Sequence, residues 1–441
     1  MHISQNLAAK AVSEVFAGRN LTITLEQLFK QHPEITPQQR GVAQDLSYSC
    51  LRHYGELKAL IKPLLQKPLK DPWLNHLLLI AIYQLRYETA QPFTVVDQAV
   101  KAASKTNLPW AKGLVNGVLR NFLREQTSLI AGSQEDDVAK YSYPQWWVNK
   151  IKSQYPQQWQ TILQAGNQHP PMVLRVNIRK TTQSAYQQLL NDAGHAAAVL
   201  GDVALLLEKP VSVEQLPHFA DGWVSVQDYG AQLAAAFLEV QDGMRVLDAC
   251  CAPGGKTGHL LESANIEMTA LDHNEIRLKR VAENLSRLDL SANLKQGDAS
   301  KSDWWDGKLF DRILADVPCT ASGVVRRHVD IKWLRREADI ASFSQQQALI
   351  LSSLWQMLAK GGKLLYVTCS IFHEENQAQI DNFLKNNADA ERVPLNLVLQ
   401  TESEPLVNLQ QVSLQKEKME DRQLLPCKQH DGFFYALLQK R

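Results

Sequence analysis

The chain has 441 residues, 45% of them hydrophobic and 21% charged, with a formal net charge of +1. That length allows two or three domains and a sizeable core, and the composition is that of an ordinary soluble protein. It excludes a membrane-spanning chain, because the most apolar stretch, Leu77 to Ile82, is far below spanning length. The opening MHISQNLAAKAVSEVF lacks the basic start and unbroken apolar run of a signal peptide, so a cytoplasmic location is expected. Cysteines at 50, 250, 251, 319, 369 and 427 show neither a disulfide framework nor a C-x-x-C zinc pair; free thiols and no metal are expected. Charge is uneven: residues 1–130 hold 15 Lys and Arg against 9 Asp and Glu, the rest 32 against 37. A basic front suits a polyanionic partner, and it suits a solvated helical surface equally well.

Residues 4–130 read as helices almost throughout. Ala8, Ala11, Val12 and Val15 follow one helical face, and Thr36-Pro37 marks a helix start before Gln38–Tyr54. Leu21–Phe29, Leu57–Leu65, Pro72–Tyr87, Val95–Ser104 and Lys112–Arg124 complete a bundle of about seven helices. Residues 131–140 (AGSQEDDVAK) read as a linker. The next stretch mixes types: a short helix after Tyr143-Pro144, a strand in MVLRVNIRK, a helix over Ser184–Ala193 and a strand at Trp223–Gln227. Arg175 and Asn177 on that first strand are candidates to touch nucleic acid, with an ordinary edge-strand surface as the alternative. From 228 strands and helices alternate, which argues for one doubly wound sheet. The strands are Met244–Ala249, Glu267–Leu271, Asn293–Gln296, Phe310–Ala315, Lys363–Thr368 and Phe433–Leu438; a polar stretch spans 387–430. The division is thus a helical domain (1–135), a small α+β connector (141–227) and a Rossmann-like α/β domain (228–441).

The centre of that last domain is MRVLDACCAPGGKTGHLL (244–261): a strand, a glycine-rich turn and a helix start. Such a turn lies at the carboxyl end of a parallel sheet, where glycines admit a ligand to the backbone and the helix start offers unpaired N–H groups. A P-loop needs a glycine where Cys250 stands, and no G-x-G-x-x-G is present. Four strand ends carry carboxylates, Asp248, Asp272, Asp298 and Asp316. Asp272 lies about 20 residues past the turn, where a carboxylate meets ribose hydroxyls. Asp298 could accept from an adenine amino group. Any one of these could be a turn or helix cap. Together they point to a nucleoside cofactor without a phosphate tail, its carboxylate held by Lys256 and the turn. S-adenosylmethionine has that shape; NAD is the alternative.

Two cysteines also sit at strand ends, in Pro318-Cys319 just past Asp316 and in Thr368-Cys369-Ser370. Singly, each cysteine reads as an inert buried residue. Paired beside a methyl donor they suggest cytosine chemistry, since C5 of a pyrimidine is a poor nucleophile until a thiolate adds at C6. The base must first be unstacked, at about a few kcal/mol.

DACCAPGGKTGHLL (248–261), FDRILADVPCTASGVVRRHVDIKWLRR (310–336), YVTCSIFHEEN (366–376) and DGFFYALL (431–438) resemble the RNA cytosine-C5 methyltransferases, specifically the bacterial 16S rRNA branch of the RsmB/Sun/Fmu type. GLVNGVLRNFLR (113–124) and the helical front resemble that family's NusB-like RNA-binding domain, so the likeness spans nearly the whole chain. It implies that Cys369 is the nucleophile, that Cys319 aids product release by assisting C5 proton loss, and that Asp316 sits against the cytosine edge and the cofactor. Cys250, Cys251, Ala252, Pro253, Gly254, Gly255, Lys256, Asp272, Asp298 and Asp316 would line an S-adenosylmethionine pocket. The implied partner is 16S ribosomal RNA, with no DNA and no membrane, acting as a monomer. Cys251 stands where alanine is usual and Val329 where proline is usual; an extra thiol there is expected to be oxidation-prone. Arg326, Arg327, Lys332, Arg335 and Arg336 are candidates to grip phosphates, with Trp333 as a packing or stacking surface; a basic surface helix packed by Ile331 and Leu334 is the alternative. Two alternatives stay open: a DNA cytosine-C5 methyltransferase with Cys319 as nucleophile, and an RNA-binding assembly factor with a vestigial methyltransferase half.

Overall fold

A computed structural model describes residues 1–105, 110–395 and 421–441. Contacts group the chain into two compact units, residues 1–169 with 325–337, and residues 170–324 with 338–441. The three-part division at 1–135, 141–227 and 228–441 stands as a proposal. No described helix is long and apolar enough to cross a membrane.

The first unit is built on helices His2–Phe16, Leu21–Gln31, Pro37–Arg52, Tyr54–Ile61, Pro72–Arg86, Pro92–Ser104 and Ala111–Ser133. Asn20, Thr36 and Asp71 each accept a backbone N–H at a helix start, and Thr36 and Gln39 form a reciprocal pair. Pro72–Arg86 is buried on nearly every side, from Leu74 through Leu85, which makes it the central helix. The linker expected over 131–140 is not one. The long helix continues to Ser133, and Asp136 then caps a short helix, Asp137–Tyr141, by accepting from the Val138 N–H. Ala131 favours helix, and the apolar Leu129 and Ile130 keep one face against the core.

Two of the five candidate phosphate grips, Arg326 and Lys332, are corrected by the structure. Arg326 and Lys332 are buried. Lys332 Nζ donates to the Arg52 carbonyl (2.8 Å) and Asn167 Oδ1 (2.7 Å), while Arg52 donates to the Arg326 carbonyl (3.0 Å). Asp330 accepts from Asn20 Nδ2 (2.9 Å) and the Leu21 N–H (3.0 Å). Trp333 donates to the Leu51 carbonyl and lies against Tyr54, with ring centroids 5.0 Å apart. Backbone carbonyls and an amide take up the charge that a basic run suggests is solvated. Burial and Arg52 push the Lys332 ammonium well below its usual range. Lys332→Glu is therefore expected to cost this unit about 3–5 kcal/mol, read as a fall in its thermal midpoint. An unchanged melt would contradict the structural role.

The second unit holds two sheets. The smaller is antiparallel, order β2-β3-β1-β4, from β1 (Val173–Val176), β2 (Ala197–Leu200), β3 (Ala204–Leu207) and β4 (Val224–Val226), with helix Gln183–Asp192 across it. The hairpin β2–β3 was not expected; it turns at Gly201, whose φ is +58°. The larger sheet has the order β10-β12-β9-β8-β5-β6-β7, with β11 pairing β12. Its strands are β5 (Arg245–Ala249), β6 (Glu267–Asp272), β7 (Asn293–Gln296), β8 (Phe310–Asp316), β9 (Leu358–Thr368), β10 (Ala390–Val393), β11 (Asp421–Leu424) and β12 (Phe433–Lys440). Strands β5 to β9 run parallel, and β12 joins β9 antiparallel. The polar stretch expected over 387–430 lies partly outside the described residues; its two ends form β10 and β11. Alternate residues feed two cores: Val246, Ala270, Leu314 and Leu365 on one face, Leu247, Leu271, Ile313 and Leu364 on the other. All parallel strands thus end on one edge.

Candidate active site

At that edge β5 runs into the glycine-rich turn. Cys250 adopts φ +64° and Gly254 φ +95°. A side chain at Gly254 would be strained, and its Cβ would lie 3.1 Å from Val281 Cγ1. The turn is tied to its neighbours: the Cys251 N–H donates to the Leu271 carbonyl (2.9 Å) and the Ala252 N–H to Asp272 Oδ2 (3.2 Å). From helix Glu275–Leu288, Arg277 donates to the Ala252 carbonyl (2.6 Å) and Asn284 to the Pro253 carbonyl (2.9 Å).

Arg175, read as either a nucleic-acid contact or an ordinary edge-strand surface residue, is instead fully buried and holds this turn from the other side. Its guanidinium donates to both carboxylate oxygens of Glu262 (2.9 and 2.7 Å), to the Gly255 carbonyl (2.7 Å) and to Gln227. Asn177 is buried too, donating to the Gly222 carbonyl. The strand pattern alone could not show that β1 faces the helix Gly255–Ser263.

The four carboxylates take different environments. Asp248 is wholly buried, accepting from the Thr257 hydroxyl (2.6 Å) while its Oδ1 has no partner. Burial pushes its carboxyl up to about 7, against the Thr257 bond that favours the charge. Asp272, also buried, accepts from the Ala252 and Asn274 N–H groups and lies 3.5 Å from Arg277. Asp298 is half exposed two residues past β7; the backbone N–H and then the hydroxyl of Ser300 hold it below the usual carboxylate range. Asp316, at the end of β8, pairs with Lys256 Nζ at 2.6 Å. Burial opposes the Lys256 charge, but Asp316 outweighs it and raises the amine, with Cys369 and Asp248 adding to the effect.

Because folding raises the Asp248 carboxyl from 3.8 to about 7, the folded state binds the extra proton more tightly. This contribution is complete below the unfolded value and is lost as pH rises through the folded one. Asp248→Asn is expected to raise the thermal midpoint relative to wild type at pH 8, by about 2–4 °C per kcal/mol recovered, and by less at pH 5. Equal shifts at both pH values would contradict this.

The cysteines separate into two groups. Burial, then the neighbouring carboxylates, push the Cys250 and Cys251 thiols far above their usual range. Raised values leave less thiolate on both, which argues against the oxidation expected at Cys251. Cys319 and Cys369, just beyond β8 and β9, bring their sulfurs to 3.4 Å. Hydrogen bonding to Cys369, then burial, push the Cys319 thiol well up. Cys319 is buried, whereas Cys369 is only partly buried. Cys369 also influences Lys256, so the thiol pair and the Lys256–Asp316 pair share one edge.

The sequence reading missed Glu375, whose carboxylate is fully buried between the two cysteine turns. Nothing in His373-Glu374-Glu375-Asn376 distinguishes it from the half-buried Glu374 before it. The missed Arg277 and Asn284 carry a faint signal, since both follow the Asn274 cap on one helix.

Three family profiles match: the NusB family over residues 2–124, the RsmF/B-like ferredoxin-like domain over 143–214, and 16S rRNA methyltransferase RsmB/F over 235–439. Two curated relatives, each called Ribosomal RNA small subunit methyltransferase B, are similar across 99% of this chain and 98% of their own. The one from Vibrio cholerae is 41% identical and the one from Serratia proteamaculans 42%. The solved structure of PH0851 covers 100% of this chain and 99% of its own at TM-score 0.78 and 23% identity, a likeness of fold. The helical front is thus a NusB-like domain, the small antiparallel sheet a ferredoxin-like connector, and the chain belongs to the RsmB/F family of 16S rRNA methyltransferases.

Proposed function

We propose that this chain methylates C5 of a cytosine in 16S ribosomal RNA, using S-adenosylmethionine and a transient bond between Cys369 and C6. The observation that carries this reading is the 3.4 Å pair of thiols at the ends of neighbouring parallel strands, beside the Lys256–Asp316 pair.

The residues around the turn fit the cofactor. The unpartnered Oδ1 of Asp248 and the half-exposed Asp298 supply acceptors, the latter for an adenine edge. Cys250 to Lys256 with Asp272, Asp298 and Asp316 would hold it, Lys256 and the start of helix Gly255–Ser263 facing its carboxylate. When bound, it supplies an electrophilic methyl group.

The chain's own part is covalent catalysis. Cys369 sulfur bonds to C6, which makes C5 nucleophilic enough to accept a methyl. The C5 proton then leaves, the pair in that C–H bond restores the C5–C6 double bond, and the sulfur departs as thiolate. Cys319, whose sulfur lies 3.4 Å from that of Cys369, assists the loss of the C5 proton. Asp316, held in place by Lys256, faces the base and the cofactor. Printed names of relatives support the ribosomal substrate, and the NusB-like domain supports an RNA partner.

Bisulfite sequencing of 16S rRNA from cells with and without the protein tests the reading. One cytosine is expected to lose its protection when the gene is removed. Identical protection patterns would refute it.

A further inference from the structure

We infer that Glu375 is a positioning residue for both thiols, its buried carboxylate tying the turn that carries Cys319 to the turn that carries Cys369. This rests on the proposed roles of the two cysteines. The Cys319 sulfur meets Cys369 and the Ala321 backbone, and the residue that follows each cysteine sets where it is aimed. Those residues are Thr320 and Ser370, and one carboxylate serves them both. Glu375 Oε1 accepts from the Thr320 N–H (2.8 Å) and from Gln347 Nε2 (3.1 Å); Oε2 accepts from the hydroxyls of Thr320 and Ser370. Ser322 closes the network, with its hydroxyl 3.0 Å from that of Ser370 and its oxygen accepting the Ile371 N–H at 2.9 Å. The Gly323 N–H donates to the Cys369 carbonyl at 2.8 Å, so the two turns also meet along the backbone. The Glu375 carbonyl in turn accepts from the Tyr366 hydroxyl (2.7 Å) on β9, which fixes the carboxylate's own origin.

The geometry separates length from charge. A glutamine at 375 can keep every partner. Its oxygen accepts from the Thr320 N–H and Gln347, and its NH₂ donates to two hydroxyls that can turn to accept. An aspartate is one methylene short and cannot span both turns. If the tie is what matters, Glu375→Gln retains activity within about fivefold, while Glu375→Asp and Glu375→Ala lose roughly 100-fold in kcat, the scale of an ångström's misplacement. KM for RNA and the affinity for S-adenosylmethionine stay within about threefold, because the cofactor turn lies on β5 and β6.

The arms are expected to divide the cycle. In single-turnover reactions of the full chain with 16S rRNA, Ser370→Ala slows formation of the covalent adduct, and Thr320→Val slows its resolution. These milder variants also keep the test open should Glu375→Ala fail to fold. Thermal midpoint and cofactor affinity by calorimetry are measured on each. Wild-type kcat in both Glu375→Ala and Glu375→Asp overturns the inference. So does a loss that simply follows cofactor affinity, or a Glu375→Gln as damaged as Glu375→Ala. Failure of the underlying reading is separately visible: Cys369→Ala would then remain active whatever Glu375 does.

Discussion

Cys369→Ala is expected to abolish methyl transfer, a loss of roughly 10⁴-fold or more, since a nucleophile that forms the covalent intermediate has no substitute. Cys319→Ala is expected to do something different. It should still form the bond to C6 and then stall, so that RNA and protein migrate together on a denaturing gel. The asymmetry follows from the contact between the sulfurs. Cys319 is buried and hydrogen bonding to Cys369 pushes its thiol well up, whereas Cys369 is only partly buried. Cys250 and Cys251 offer no rescue, because burial and nearby carboxylates keep both thiols protonated. The reverse pattern, with Cys319→Ala inert and Cys369→Ala trapped, would move the chain to the DNA-type chemistry that uses the Pro-Cys thiol.

The second large effect concerns stability. Arg175 and Glu262 form an ion pair with both side chains fully buried, and Arg175 also takes the Gly255 carbonyl and Gln227. Arg175→Ala leaves the Glu262 carboxylate buried without its partner, at a cost of about 3–5 kcal/mol. In a unit of this size that lowers the thermal midpoint by roughly 10 °C. It also frees the start of helix Gly255–Ser263, so affinity for S-adenosylmethionine, read by calorimetry, is expected to fall with it. Arg175→Met combined with Glu262→Leu removes both charges and should recover most of the lost midpoint. If the single variant melts like wild type, the pair is not what holds the turn.

Much of the second unit was legible because its strands end on residues with distinctive chemistry. Helix Glu275–Leu288 carries its own signals, since Asn274 caps it and Leu278, Val281, Leu285 and Leu288 are buried along one face. The strand ends at Asp272, Asp316, Cys319 and Cys369 were readable for the same reason: aspartate, proline and cysteine interrupt apolar runs. Hairpin β2–β3 was missed because the runs flanking Gly201-Asp202 are apolar without alternation, although a Gly-Asp pair between such runs is itself a turn signal. The basic run at 326–336 misled for a different reason. Charge pattern reports the residue, not the carbonyls that will surround it, and Lys332 finds those of Arg52 and the amide of Asn167 only after folding. Arg175 and Glu375 share that blindness; each is a charged residue whose partners lie far off in sequence or on a separate turn.

The central claim is a bond between Cys369 and a cytosine. Peptide mapping by mass spectrometry of the adduct formed by the Cys319→Ala protein with 16S rRNA and S-adenosylmethionine tests it most directly. The account predicts one nucleotide-bearing peptide, containing Cys369, with the added methyl on the base. An adduct on any other cysteine, or a methylated RNA with no adduct at all, would contradict it.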